Sequence, residues 1–296
     1  MLLRTLGISL TVLTQGTMPM FDSHEFMALF KQVIESDLDE GMRQMSRFHF
    51  QHPGSLTRAR LTFNCSIAMQ LPYDAATHCA ALVEMLHNAS LIHDDIQDNA
   101  VFRRGQESMW QKFGLAKALA YGDLLISIAY NTASFLPYGY IGSSVRLIHN
   151  FVTKTIIGQV RDINAMALNK PQLVHYTNIF WLKSGQLMML GIKLASLLSK
   201  HVTYCSLFEG IIRHLVISYQ IVDDITDIEE DKDQHNFSIF TVFDQDKPIM
   251  LTQAHELANS HLCQAQSMIH HLPQDMRQPF LQLYRNIQPR LIKDLA

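Results

Sequence analysis

Apolar residues recur at intervals of three and four along nearly the whole chain, and no two-residue alternation competes with them. The repeat runs through 25–45, 58–71, 74–97, 116–136, 141–166, 173–198, 204–231, 248–270 and 274–293. A period near 3.6 buries one face of a helix, so helix is predicted in each segment. Short breaks at His52-Pro53-Gly54, Leu71-Pro72, Pro137-Tyr138-Gly139 and Leu272-Pro273 separate them. The implied fold is an all-α bundle, in which ligand and metal sites form between facing helices at the core. No linker or charge block divides the 296 residues, so 21–296 reads as one large domain behind a frayed extension over 1–20.

That extension carries Arg4 and a short apolar run over 6–13, too short to span a bilayer and without a cleavage site of small residues. The start near Met18 or Met20 is the expected functional one, and no later run reaches spanning length. Hydrophobic residues make up 48% and charged residues 17%, ample for a large core, while a net charge of -3 argues against a nucleic-acid footprint. The cysteines, Cys65, Cys79, Cys205 and Cys263, lack metal-type spacing and are expected as buried free thiols, which suits the cytoplasm.

Two aspartate clusters of identical spacing interrupt this apolar background: Asp94-Asp95-Ile96-Gln97-Asp98 and Asp223-Asp224-Ile225-Thr226-Asp227. On a helix, positions i, i+1 and i+4 share a flank, so each cluster projects its carboxylates one way. A lone cluster is as readily a solvated acidic face. Two of them, each inside an apolar helix, need cations. Carboxylate oxygens suit Mg²⁺, which keeps several waters and is completed by substrate phosphates more often than by an all-protein cage. Beyond the first cluster stand Arg103-Arg104-Gly105, where helix should give way to loop, and paired guanidiniums match phosphate oxygens. Gln220 precedes the second cluster, and Lys183-Ser184-Gly185 puts a cation and a small hydroxyl at an expected helix break.

Together these motifs resemble the trans-isoprenyl diphosphate synthase (polyprenyl synthetase) family over roughly 50–235. The matching segments are 87–98, Arg103-Arg104-Gly105, Gly122-Asp123, Gly158-Gln159, Lys183-Ser184-Gly185 and 219–227. The resemblance implies a Mg²⁺-dependent prenyltransferase, a homodimer, with an allylic prenyl diphosphate and isopentenyl diphosphate as substrates and three metal ions shared with the diphosphate. It implies that Asp94, Asp98 and Asp223 hold metal directly, with Asp95, Asp224 and Asp227 supporting or completing the shells. Arg103, Lys183, Ser184 and Gln220 would hold the allylic diphosphate, while Arg104, His87 and Arg60 would face isopentenyl diphosphate. Alone, His87 reads as a satisfied core histidine; its neighbours reverse that.

The chain departs from the family in two places. A Gly-Gly-Lys-Arg-x-Arg segment usually grips isopentenyl diphosphate; here it reads Pro53-Gly54-Ser55-Leu56-Thr57-Arg58-Ala59-Arg60, with Thr57 in the lysine's place. The lysines that usually follow the second acidic motif have only weak counterparts in Lys232 and Lys247. A lost phosphate-bound cation removes roughly 1.5–3 kcal/mol. Two rival readings follow: a cyclase-like enzyme that ionises a prenyl diphosphate alone, and a non-catalytic partner subunit. For chain length, Ala89 and Ser90 lie one turn before Asp94 and leave that level open, with Met85 and Leu86 as a softer floor beneath, so products of C20 or longer are expected. Helix packing alone would also explain the small residues.

Overall fold

Helix follows helix in the computed structural model, which describes residues 19–199, 203–229, 237–243 and 246–293. In order these are α1 (Ser23–Glu35), α2 (Glu40–His49), α3 (Thr57–Ala68), α4 (Tyr73–Gln97), a ribbon of β1 (Phe102–Arg103) and β2 (Gln106–Glu107), α5 (Met109–Phe113), α6 (Leu115–Thr132), α7 (Ile141–Ile163) and α8 (Leu173–Phe180). A π turn (Trp181–Gly185) leads into α9 (Gln186–Ser199), followed by α10 (Cys205–Thr226), α11 (Ile239–Val242), α12 (Lys247–Ile269) and α13 (Gln274–Lys293).

Helix α4 is the core element. Ala76, Ala80, Ala81, Leu82, Val83 and Met85 are wholly buried, so the helix is apolar almost all round rather than on one stripe. Its alanines let α3, α6 and α9 approach it, and truncating a residue such as Leu82 to alanine costs about 2–5 kcal/mol. Helix α10 lies against α12, and α13 packs across α3, α10 and α12. Both acidic clusters fall in the last turns of their helices, with Asp98 capping α4 and Asp227 capping α10. A helix C-terminus already carries partial negative charge, so carboxylates there are destabilising until a cation joins them.

Four details differ from the sequence expectation. The first predicted helix is split, because Asp39 accepts the Met42 N–H at 2.8 Å and starts α2. Where a loop was expected, Arg104 and Gly105 take φ of 53° and 78° and close the two-residue ribbon. The break at Lys183 is instead a π turn inside an otherwise continuous helical run. Cys65 and Cys79 are buried, but Cys205 is half-buried and Cys263 exposed, since it falls on the outer side of α12; all four are free thiols. Residues 1–18, and with them nearly all of the expected extension, lie outside the described residues, as does Lys232. Lys247 starts α12. No described helix is long and apolar enough to cross a membrane.

Candidate active site

The last turn of α4 sets three carboxylates in three different environments. Burial pushes the Asp94 carboxyl up to about 6, against attraction from Lys183 and with repulsion from Asp98. Asp95 is buried and already paired: Arg103 Nε donates to its Oδ1 at 2.9 Å and Nη2 makes a second, shorter contact. Asp98 is exposed. The ribbon holds Arg103 in this position and turns the next arginine the other way, so that Arg104 Nη1 donates to His52 O at 2.9 Å. Gly54 makes this possible, because a Cβ there would come within 2.6 Å of Arg104 Cζ.

Lys183, on the π turn, lies close enough to Asp94 and Asp98 to feel their charge. Its Nζ donates to Asp162 Oδ2 at 2.5 Å; burial alone would lower its pKa, but Asp162, Asp94 and Asp98 outweigh this and hold it above the usual lysine value. The π turn widens the helix to aim this side chain, and Gly158 of α7 lets the backbones meet: a Cβ at Gly158 would stand 2.4 Å from Lys183 N. Gly122 has a similar purpose, since a Cβ there would overlap His93, whose Nε2 is 3.5 Å from Asp123 Oδ1.

At the second cluster, Asp224 is saturated. Tyr176 Oη and the Ile239 N–H donate to its Oδ2, each at 2.7 Å, and Gln220 Nε2 donates to Oδ1 at 2.9 Å. Asp223 Oδ1 accepts from Arg290 Nη2 at 2.6 Å, and the same guanidinium lies 5.1 Å over the Tyr219 ring. Burial raises the Asp223 pKa and Arg290 works against it. Asp227 is exposed at the helix end.

A cavity of about 460 Å³ opens between α3, α4, α9, α10 and α13. Its lining combines polar residues, among them Ser55, Thr57, Arg58, His87, Arg103, Arg104, Ser184, Gln220 and Asp223, with the aliphatic Leu91, Met188, Leu215, Val216, Leu283 and Ile287; Asp94, Asp98 and Lys183 are not among them. The structure thus gathers Arg103, Arg104, His87, Ser184, Gln220 and Asp223 on one space, with Lys183 beside Ser184. Arg60 is not on it: it borders an adjoining pocket of about 240 Å³, with its guanidinium 5.3 Å over the Phe21 ring. Nor are Ala89, Met85 and Leu86, which are buried in the core, with Met85 Sδ accepting from Thr132 Oγ1. Ser90 donates to His87 O.

Asp162, Tyr176 and Arg290, which contact Lys183, Asp224 and Asp223, are absent from the sequence expectation, and Arg58 enters it only as a retained arginine of the 53–60 segment. Asp162 had a signal, because it stands one helical turn after Gly158 and must share its face. Arg58 had one as well, as the arginine that follows Thr57 in the 53–60 segment; Arg290, remote in sequence, and Tyr176, in an apolar run, had none.

The polyprenyl synthetase family model matches residues 39–277. The chain belongs to the polyprenyl synthetase family. Among curated relatives, a nonaprenyl diphosphate synthase from Mycobacterium tuberculosis is 29% identical over 216 residues, covering 70% of this chain and 62% of the relative. A terpene synthase from Matsumurasca onukii is 28% identical over 199 residues, covering 64% of this chain and 61% of that one. The chain therefore spans less than two thirds of the length of these relatives. A geranylgeranyl pyrophosphate synthetase structure from the archaeon Geoglobus acetivorans superposes with a TM-score of 0.79 at 19% identity, over 89% of this chain and 97% of the other. At that identity the likeness establishes the shared all-α fold.

The donor type of the clustered acids is the oxygen that a hard divalent cation takes. Asp94, Asp98 and Asp223 offer oxygens alone, and among the described residues no three His, Cys, Asp or Glu side chains converge on one metal position. Asp95 and Asp224, whose oxygens hold protein donors, position their neighbours in this state of the chain.

Proposed function

We propose that this polyprenyl synthetase family member condenses an allylic prenyl diphosphate with isopentenyl diphosphate, in the cytoplasm, to give a trans-polyprenyl diphosphate of C20 or longer. The observation that carries the reading is the cavity, whose lining joins the cationic Arg58, Arg103 and Arg104 and the Asp223 carboxylate to the aliphatic Leu91, Met188, Leu215 and Val216.

Asp94, Asp98 and Asp223 would hold Mg²⁺, with Asp227 completing and Asp95 and Asp224 supporting the shells; three ions are the proposed number. Bound with substrate, the metal would neutralise the diphosphate and ease its departure. Lys183 and Arg103 would take diphosphate oxygens as charge gathers on them, with Ser184 and Gln220 alongside. Breaking the allylic C–O bond leaves a carbocation that Leu91, Met188, Leu215 and Val216 keep from water. The alkene of isopentenyl diphosphate, held beside it by its own diphosphate, then forms the new C–C bond and loses a proton to the released diphosphate.

Homodimerisation is part of the proposal. Ile156, Val160 and Ile163 form an exposed apolar stripe on α7, and Leu115 and Leu119 are exposed on α6, as a helix pair awaiting a second copy would present.

A second reading has its own support. Thr57 leaves the isopentenyl site one cation short, and a relative of similar identity is a terpene synthase, so ionisation of a prenyl diphosphate without isopentenyl diphosphate is the rival chemistry. A non-catalytic partner subunit ranks third, because all six aspartates of the clusters remain. Incubating the chain with a labelled allylic diphosphate and Mg²⁺, with and without isopentenyl diphosphate, tests all three. Elongated diphosphate supports the proposal. Cyclic or linear hydrocarbon without isopentenyl diphosphate supports the rival, and no turnover supports the partner role.

A further inference from the structure

Thr57 cannot bind diphosphate as a lysine does, and Arg60 is turned away over Phe21. The neighbour between them faces the cavity instead. Arg58 Nη1 meets His87 Nε2 at 3.0 Å, while its Nε is shut off from solvent and has no hydrogen-bond partner. No carboxylate among the described residues forms an ion pair with it. The nearby acid, Glu84, is occupied elsewhere: its Oε2 accepts the Ala59 N–H and its Oε1 accepts from Asn88, each at 3.2 Å.

A guanidinium has five N–H donors and no acceptor, and withdrawing one from water without a paired anion is costly. Arg58 accepts that cost on the wall of the cavity, with Arg104 and the bonded Ser55–Thr57 hydroxyls on the same wall. His87 takes the Arg58 hydrogen bond on Nε2 and so carries its own proton on Nδ1, as a second donor. Such an array is one anion short of complete. Its fork of planar donors suits the non-bridging oxygens of a diphosphate.

We propose that Arg58, supported by His87 and Arg104, is the binding residue for the second substrate's diphosphate, standing in for the lysine that Thr57 replaces. The inference rests on reading the cavity as a prenyltransferase site. It adds a specificity residue to that reading, with an unactivated prenyl diphosphate as the ligand.

Equilibrium calorimetry on the full-length chain, with isopentenyl diphosphate and with inorganic diphosphate as probes, tests the assignment without requiring turnover. It therefore decides the role of Arg58 even in a chain that makes no product, whereas the incubation above judges the reaction alone. Arg58→Gln should weaken binding by about ten- to hundredfold, the worth of a hydrogen-bonded charge, and by more than Arg60→Gln does. Adding Thr57→Lys to Arg58→Gln should recover about tenfold. Where turnover is present, KM for isopentenyl diphosphate should rise with little change in KM for the allylic substrate. If Arg58→Gln loses its circular-dichroism signal, Arg58→Lys carries the comparison: it keeps the charge, loses the fork, and should still bind several-fold more weakly. Unchanged binding in a folded Arg58 variant, a larger loss from Arg60→Gln, or no binding of either probe to the wild type would overturn the assignment.

Discussion

Replacing Asp94 by asparagine should stabilise the metal-free protein while removing its response to metal. Burial holds the folded carboxyl at about 6, against an ordinary value of 3.8, net of the attraction by Lys183. Between those pH values the native chain keeps a proton that the unfolded chain has lost. This favours folding at low pH, and the advantage disappears as pH rises through about 6, leaving the full cost of the buried charge at pH 7. One pH unit is worth about 1.4 kcal/mol, so the ceiling is about 3 kcal/mol; part of Asp94 meets water, which reduces the expected gain to about 1–2 kcal/mol. Urea unfolding followed by circular dichroism would read it. At pH 7 without metal, Asp94→Asn should be the more stable chain, and at pH 5, where wild-type Asp94 is largely protonated, the difference should shrink. Adding Mg²⁺ and inorganic diphosphate should stabilise the wild type, with RT ln(1 + [L]/Kd) giving about 2.7 kcal/mol at a hundredfold excess over Kd, and should leave the variant nearly unmoved. A variant less stable than wild type at pH 7, or a difference independent of pH, would refute the argument that Asp94 is held charged at a cost.

Three further outcomes follow from particular contacts. Gly158→Ala drives a methyl into the Lys183 backbone, so the π turn must shift; we expect a loss of about 1–3 kcal/mol in thermal unfolding and a larger loss of turnover than that destabilisation explains. Ile156→Glu with Val160→Glu should convert a dimer to a monomer in sedimentation velocity, and an unchanged species would place the interface elsewhere. Val216→Phe sets a ring into the aliphatic wall and should shorten the product seen by chromatography, whereas Ala89→Phe, in closed core, should chiefly destabilise. The reverse pattern would put the growing tail along α4.

The sequence carried what depends on local period and pattern. Apolar spacing located nearly every helix and put the first acid cluster at a helix end, but it carried the second acidic helix to 231, whereas α10 ends at Thr226. Failures came where tertiary contact decides. Nothing local to Lys183 distinguishes a helix break from a π turn, because the widening is set by how closely α7 approaches at Gly158. Arg60 and Arg58 differ only in which side of α3 they leave from. The rotation of that helix is set by Glu84 holding the Ala59 N–H, a bond across 25 positions that no short-range pattern encodes. The expected tail wall shows the same dependence: stepping back one turn from Asp94 leads to Ala89, which is packed in the core, while the residues of α4 that line the cavity are His87 and Leu91.

A common arrangement links the three cations nearest the acids. Arg103 is paired with Asp95, Lys183 with Asp162 and Arg290 with Asp223. Each pair limits the cost of crowding carboxylates at two helix C-termini, and each holds a long side chain in one rotamer before any ligand arrives. On the proposed reading these pairs differ in what binding asks of them. Asp95 and Asp162 can keep their cations and merely share them with diphosphate oxygens, since Arg and Lys have donors to spare. Asp223 cannot share its Oδ1 so easily, because a metal ion and a guanidinium compete for the same lone pairs. Metal binding at the second cluster therefore requires the contact from α13 to loosen or move to the other oxygen, which makes Arg290 the member of the set whose position must answer to the ligand.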